Sequence, residues 1–369
     1  MSWAIRPLFR WGALSVVAVV IAAWVGVGLP WHIPRQLARV DRVILAQASV
    51  LTTHPVTLAG HTQASRLPPG MVLAYFYGRG GGTGAVAMLR PYVSDLSGLI
   101  PDWYTIHADG TVTGQTDAAL LRFAASHHLW TFALAQNMQG ASVFGPLLSD
   151  PAAERRAIDS LLTLVEVNGY DGVNLDFEGI PPQDRRRFSA FVAQLASTFH
   201  RHGYYVTLSV PAETADAPND PWTGAYDYRA LGRSADLLMI MAYDEHTPSG
   251  PPGPVAATAW VKRVLAYAVR VVPPAKIILG VPGYGYDWSA AGSQALSYAQ
   301  AEQLAAEHGV SPQAGGHFEY WASGQLHTVW FEDASTFLNK LKLAVGYELR
   351  GIALWRLGIE DPRIWGLLR

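Results

Sequence analysis

From residue 71 onward the chain repeats one pattern: a short run of β-branched or aromatic residues, a turn, then a stretch whose apolar positions recur at helical spacing. The strand candidates are MVLAYFY (71–77), GLIPDWYT (98–105), WTFALAQN (130–137), YDGVNLDFE (170–178), YYVTLSV (204–210), DLLMIMAY (236–243), KIILGVP (276–282) and GIALWRL (351–357). Helical stretches separate them. The clearest span 151–167, where Asp150 can cap and Pro151 takes the first turn, and 182–201, with its basic outer face. Alternating strands and helices predict an α/β fold with a parallel sheet, and eight repeats predict closure into a (β/α)8 TIM barrel. About 68 residues lie between the seventh and eighth strands, too many for a turn. SYAQAEQLAAEHG reads as a helix and HFEYWASGQLHTVWF as a hairpin about Ser323-Gly324, so a small α+β insertion is expected at about 289–330.

Ahead of this body, WGALSVVAVVIAAWVGVGLPW from Trp11 to Trp31 carries no ionisable residue. At about 1.5 Å per helical residue it can cross a hydrocarbon core of about 30 Å. Arg6 and Arg10 precede it, as in a signal sequence, but it exceeds the usual apolar length of one and no clear A-x-A site follows. An uncleaved transmembrane anchor is favoured over a removed signal. Arg35, Arg39 and Arg42 on the far side offset the leading arginines, so the charge rule leaves orientation open. The expected organisation is 1–31 as anchor or signal, 32–69 as a stalk ending in SRLPPG with a short helix around 36–50, and 70–369 as the barrel.

Half of the 369 residues are apolar and 15% are charged, with 35 Gly and 24 Pro, a globular composition rich in tight connections. A net charge of -2 without a basic stripe argues against nucleic acid as a partner. The absence of cysteine excludes disulfides, thiolate chemistry and Cys-based zinc sites. GRGGGTGAV (78–86) follows the first strand, but without a G-x-G-x-x-G and a following acidic strand end it does not make a dinucleotide site. His127-His128 and His200-x-His202 sit at helix ends, where a cation is favourable, and no acidic cluster joins them at ligand spacing. No metal and no cofactor are expected. The 13 Trp and 16 Tyr suit the flat faces of sugars, though most such rings in any protein are core.

The informative stretch is YDGVNLDFEGI (170–180). Side chains alternate along a strand, so Asn174, Asp176 and Glu178 share one face while Val173, Leu175 and Phe177 share the other. The apolar face suits the helix layer, which directs the polar face into the barrel lumen. Two carboxylates and an amide there are unfavourable unless chemistry requires them. Catalytic residues of barrels lie at the C-terminal ends of strands, where Glu178 falls. A like charge and partial burial raise the pKa of Glu178 and keep it protonated as a general acid. Asn174 is expected to hydrogen-bond Asp176, and Asp171, of opposite parity, to brace the strand.

The run from Asp171 to Glu178 resembles the D-x-x-D-x-D-x-E signature of glycoside hydrolase family 18, the chitinase family, with Asn174 in place of the middle acidic residue. DGVN-x-DFE is similar to the bacterial branch that holds spore cortex-lytic enzymes and the hydrolase-like domains of deacetylase and glycosyltransferase fusions. MAYDEH (241–246), VPGYGYDW (281–288), VWFED (329–333) and GIALWRLGIEDP (351–362) fall where that family places its motifs, so the resemblance covers about 300 residues. It implies a substrate-assisted mechanism, in which the substrate's 2-acetamido oxygen attacks the anomeric carbon. On this resemblance Glu178 is the proton donor, Asp176 orients the acetamido group and Tyr243 hydrogen-bonds it. Asn174, Met241, Asp244 and Tyr75 line the substrate pocket and Trp355 forms its aromatic floor. Glu245 and His246 either reach the site or serve the loop.

The expected function is cleavage of an N-acetylglucosamine-containing polysaccharide, such as peptidoglycan, a chitin-like polymer or an exopolysaccharide. The expected location is outside the cytoplasm, tethered to the membrane, or secreted if the leader is removed. Polysaccharide-synthesis machinery is a possible partner. The alternative is a catalytically silent, lectin-like barrel in polysaccharide export or remodelling; retention of Glu178, Asp176 and Tyr243 favours the enzyme, because binding alone needs no proton donor.

Overall fold

The computed structural model describes residues 67–78, 83–137 and 140–369. The expected membrane segment, and all of the stalk but its last three residues, lie outside these. Among the described residues no helix is long and apolar enough to cross a membrane.

All eight expected strands are present, as β1 (Met71–Phe76), β2 (Gly98–Ile106), β4 (Trp130–Gln136), β5 (Gly172–Asp176), β6 (Tyr205–Pro211), β7 (Leu237–Met241), β8 (Ile277–Pro282) and β13 (Gly351–Trp355). They pair in parallel around a closed ring in chain order, with β1 hydrogen-bonded to both β2 and β13. This is a TIM barrel. A short β3 (Val112–Gly114), absent from the sequence expectation, adds antiparallel to the end of β2. Strands of a closed barrel crowd where they begin: a Cβ at Gly351 would collide with the Met71 carbonyl, and one at Gly172 with that of Tyr205. Glycine at both positions lets β13 and β5 start in register.

Alternation along the strands sorts the side chains into two cores. Leu73, Tyr75, Ile100, Phe132, Leu134, Met239, Ile278 and Ala353 fill the lumen. Val173, Leu175 and Phe177 instead join the larger core beneath the surrounding helices. Those helices are α1 (Thr83–Leu89), α2 (Ala118–Ser126), α3 (Ala141–Leu147), α4 (Pro151–Asn168), α5 (Arg185–Arg201), α6 (Tyr228–Ser234), α7 (Thr258–Val271) and α9 (Ala334–Gly346). The start of α4 is set as its sequence suggests, with Asp150 accepting from the Ala152 N–H and Pro151 in the first turn, and Gly169 ends it in the left-handed conformation.

Between β8 and β13 stands the insertion, a four-stranded antiparallel sheet of β9 (Tyr284–Ser289), β10 (Gly292–Ser297), β11 (His317–Ala322) and β12 (Gln325–Phe331), backed by α8 (Tyr298–Glu307). The hairpin about Ser323-Gly324 is the β11–β12 turn, and both residues have positive φ. The sheet begins at Tyr284, ahead of the expected 289, because YGYDW pairs with both β10 and β12 and does not form a loop.

Candidate active site

β5 ends at Asp176, so Glu178 stands two residues past the strand, before a turn at Gly179 with φ of +68°. The parity expected along this segment holds. Asn174 is wholly buried in the lumen, Asp176 is buried above it, and Glu178 opens into the cleft. An amide clamp fixes the glutamate backbone: the Glu178 N–H donates to Asn137 Oδ1 at 2.8 Å, and Asn137 Nδ2 donates to the Glu178 carbonyl at 2.7 Å. Asn137 follows β4. The sequence reading placed it only as the end of a strand, and nothing in its local pattern marks it as a partner of a residue 41 positions away.

Asn174 does not bond Asp176, contrary to expectation. Its Nδ2 donates to Thr207 Oγ1 at 3.0 Å and toward Met239 Sδ at 3.3 Å, while its Oδ1 accepts from Ser209 Oγ at 2.9 Å. Neighbouring β6 presents one hydroxyl, Thr207, level with Asn174 and another, Ser209, one layer above it, so the amide is satisfied sideways across the sheet. Ser209 also shares a hydrogen bond with the Tyr75 hydroxyl at 2.7 Å, and Tyr75 meets Trp355 edge to face, 5.1 Å between centroids. Asp176 is left with one buried oxygen, Oδ1, that has no hydrogen-bond partner. Asp171 acts as the brace, accepting from the Thr131 N–H on β4 at 2.8 Å.

The electrostatics follow from this placement. Burial, with the nearby charges of Glu178 and Asp102, drives the Asp176 carboxyl well above the usual range, and burial with Asp244 raises Glu178. The two titrate as a coupled pair that keeps a proton where an ordinary carboxylate has lost it. Tyr243 is neutral, its phenol pushed far up by burial and by Tyr75, Asp176 and Glu178, so it can only donate or accept a hydrogen bond.

Asp244 and Trp355 are positioned by the insertion. Asp244, with φ of +58°, accepts from the Tyr284 hydroxyl at 2.6 Å and the Tyr286 hydroxyl at 2.9 Å. Tyr284, Tyr286 and Trp288 pack with Val255 against Tyr243, Trp330 and Trp355, which joins the β7, β9 and β13 ends into one aromatic wall. Met241 is the last residue of β7, half-buried two places before Tyr243. Tyr75, Asn174, Asp176, Glu178, Met241, Tyr243, Asp244 and Trp355 thus gather at the strand tips, with Tyr75 and Asn174 one layer down.

Several other residues take structural roles. Glu245 accepts from the Ala257 N–H at the start of α7, and the His246 ring lies 3.1 Å from the Pro251 carbonyl. His200 pairs with Asp236 and His202 with Glu166. Among the described residues no group of three His, Asp or Glu is arranged to hold a metal. In VWFED, Glu332 binds buried Lys340 at 2.8 Å through both oxygens, and Asp333 caps α9.

A cavity of about 320 Å³ opens beside Asp176 and Glu178, lined also by Gln136, Asn137, Gly140, Gly179 and Trp222. Trp222 was not anticipated; it stands in a long loop after β6 with no periodic signal.

Comparison with known proteins bears on the fold and the family. Residues 134–360 match the model for glycosyl hydrolases family 18. The uncharacterised glycosylase YvbX of Bacillus subtilis (strain 168) is 29% identical over 329 residues, covering 85% of this chain and 95% of that protein. A cortical fragment-lytic enzyme of the same organism is 33% identical over 234 residues, 60% of this chain and 54% of that enzyme. Among solved structures, a chitinase from Chromobacterium violaceum ATCC 12472 superposes with a TM-score of 0.75 at 34% identity, covering 81% of this chain and 98% of that one. The matched segment runs from within β4 to just past β13 and holds Glu178, Asp176, Tyr243 and Trp355, and with it the chain belongs to glycosyl hydrolase family 18 and is a glycosidase that hydrolyses glycans.

Proposed function

We propose that the enzyme cleaves an N-acetylglucosamine-containing polysaccharide with retention of configuration, using the substrate's own acetamido group. The observation that carries this reading is Asp176: a buried carboxyl with an unpartnered oxygen, sharing a raised-pKa pair with Glu178 and facing Tyr243. Glu178 gives its proton to the glycosidic oxygen as the C1–O bond breaks, and the acetamido carbonyl oxygen bonds to C1 from the opposite face. Asp176 accepts the acetamido N–H and offsets the charge of the resulting oxazolinium ion, and Tyr243 donates to the acetamido oxygen. Water then adds to C1, Glu178 takes a proton from it, and the ring opens to the β-configured product. Trp355 supplies the apolar floor for the distorted sugar, with Tyr75 at its edge and Met241 and Asp244 at its rim. Peptidoglycan, chitin-like chains and exopolysaccharide all contain the required group, and the fragment-lytic and chitinase relatives act on polymers of this kind by name. Such substrates are extracytoplasmic, in keeping with the 1–31 segment serving as a membrane anchor and with polysaccharide-synthesis machinery as a neighbour.

The test incubates the full-length protein and its Glu178→Gln variant with peptidoglycan, chitooligosaccharides and partly deacetylated β-1,6-linked glucosamine polymer, following the anomeric protons by NMR. Turnover with the β-anomer formed first, and a loss of at least a hundredfold in the variant, is the expected result. Binding without turnover by both proteins would instead identify a lectin-like barrel.

A further inference from the structure

The proton donor and the aromatic floor lie on opposite sides of the barrel mouth. β5, which carries Asp176, is four strands from β13 in either direction around the eight-strand ring. Trp355, Tyr75 and Tyr243 belong to the β13, β1 and β7 sectors. The cavity beside Glu178 opens the other way, over the ends of β4, β5 and β6, and none of those three rings lines it. Two polar amides, two glycines and one indole surround it apart from the carboxylates. Its volume of about 320 Å³ suits a single sugar ring, at the low end of small-ligand sites of roughly 300–1,000 Å³.

Trp222 is the exceptional member of that lining. It is 51% exposed, and among the described residues no ring stacks on it. Its loop is nevertheless built to hold it still. Asp220 accepts from the Trp222 and Thr223 N–H groups at 2.9 and 2.7 Å. Arg185, at the start of α5, donates to the Gly224 carbonyl at 2.9 Å and to Asp216 at 2.8 Å. The Tyr226 hydroxyl donates to the Phe177 carbonyl at 2.6 Å, so the loop is tied to the backbone one residue before Glu178. At Gly140, which also lines the cavity, a Cβ would meet no atom of the described residues within 4 Å. An exposed indole on a braced loop, facing open space beside the acid, is an arrangement suited to stacking on the apolar face of a pyranose.

We propose that Trp222 is the platform of the subsite for the leaving-group sugar, holding the ring whose oxygen receives the Glu178 proton. The inference rests on Glu178 being the proton donor. The ligand class is a neutral or cationic hexopyranose, such as an N-acetylated or free glucosamine unit, because Asp176, Glu178 and Asp102 make this sector acidic. Substrates whose leaving group is not a sugar gain nothing from the indole.

The test compares full-length wild type, Trp222→Ala and Trp222→Tyr on chitotetraose and on a 4-nitrophenyl chitobioside, whose leaving group is a phenol. The expected result is that the ratio of kcat/KM for chitotetraose to that for the aryl glycoside falls at least tenfold in Trp222→Ala and recovers to within threefold of wild type in Trp222→Tyr. An unchanged ratio, with both substrates affected equally or neither affected, overturns the proposal. Binding of chitotetraose to Glu178→Gln, with and without Trp222→Ala, is measured by calorimetry alongside. If wild type turns over neither substrate, chitooligosaccharides are not its substrate, and hydrolysis is decided by the peptidoglycan and β-1,6-linked polymer arms described above. Trp222 is then judged by binding: a tenfold weaker Kd supports the platform, and an unchanged Kd overturns it.

Discussion

Glu213 is a carboxylic acid in a place that penalises its charge, and replacing it with glutamine should stabilise the protein at high pH. It lies two residues beyond β6 at 3% exposure, and neither carboxyl oxygen has a hydrogen-bond partner. Among the described residues the cation nearby, Arg185, is engaged by Asp216 and Asp227, while Asp216, Asp227 and Asp220 oppose a further negative charge and Tyr226, Tyr228 and Tyr267 close in around it. Burial therefore carries its pKa from 4.5 up to about 8. An unfolded chain releases this proton near pH 4.5 and the folded chain only near 8, so in that window the folded state binds more protons and stability falls as pH rises. At about 1.4 kcal/mol per pKa unit the full penalty approaches 5 kcal/mol above pH 8, and about 3 kcal/mol at pH 7, both upper bounds because water entering under the loop would relieve them. Glutamine has the same shape and no proton to lose. Urea unfolding of wild type and Glu213→Gln at pH 4, 7 and 9 should give superimposable stabilities at pH 4 and a widening advantage for the variant thereafter. Parallel stability–pH curves would refute the reasoning.

Asn137→Ala removes both arms of the clamp on Glu178, and kcat should fall about ten- to a hundredfold with a smaller change in KM, measured by steady-state hydrolysis, since misplacing the acid harms the reacting geometry more than binding. Lys340→Met leaves Glu332 charged and unpaired in the core and should destabilise by about 3–5 kcal/mol in urea unfolding, most of which the Lys340→Met, Glu332→Leu double variant should recover. Because Asp176 and Glu178 are both raised, the last proton of the pair leaves only above the ordinary carboxylate range, so the alkaline limb of kcat/KM against pH should be displaced upward; a limb near pH 4 would mean the pair is not coupled.

The barrel was legible because its signals are local. Each strand carries its own alternation, and the parity of residues 173–178 alone separates lumen from helix layer, as Val173, Leu175 and Phe177 on one side and Asn174 and Asp176 on the other now occupy. What was not legible depends on neighbours across the sheet. Asn174 was paired with Asp176 because they share a face, whereas the hydroxyls that satisfy it come from Thr207 and Ser209, more than 30 residues away and brought alongside only by the β5–β6 register. Asn137 escaped notice for the same reason. The insertion was expected only from 289, since YGYDW has the same alternating character whether it follows β8 as a connection or founds a second sheet. Trp222 and Glu213 sit in a Pro- and Asp-rich loop, where no periodicity says which side chain turns inward.

The insertion acquires a reason from Asp244. A barrel strand tip can present a carboxylate, but one at a left-handed backbone position beside Glu178 repels the charge the acid must carry after it gives up its proton. Two phenols from β9 bind the same oxygen of Asp244, Oδ1, and dilute that charge, while burial holds each phenol in its neutral, donating form. The same two rings continue into Trp288 and meet Trp355 and Tyr243, so the element that tempers Asp244 also encloses the aromatic side of the cleft. A plain loop of a few residues between β8 and β13 could supply neither paired donors nor a rigid wall. The antiparallel sheet supplies both because alternation along β9 puts Tyr284, Tyr286 and Trp288 on one face, directed at the barrel mouth.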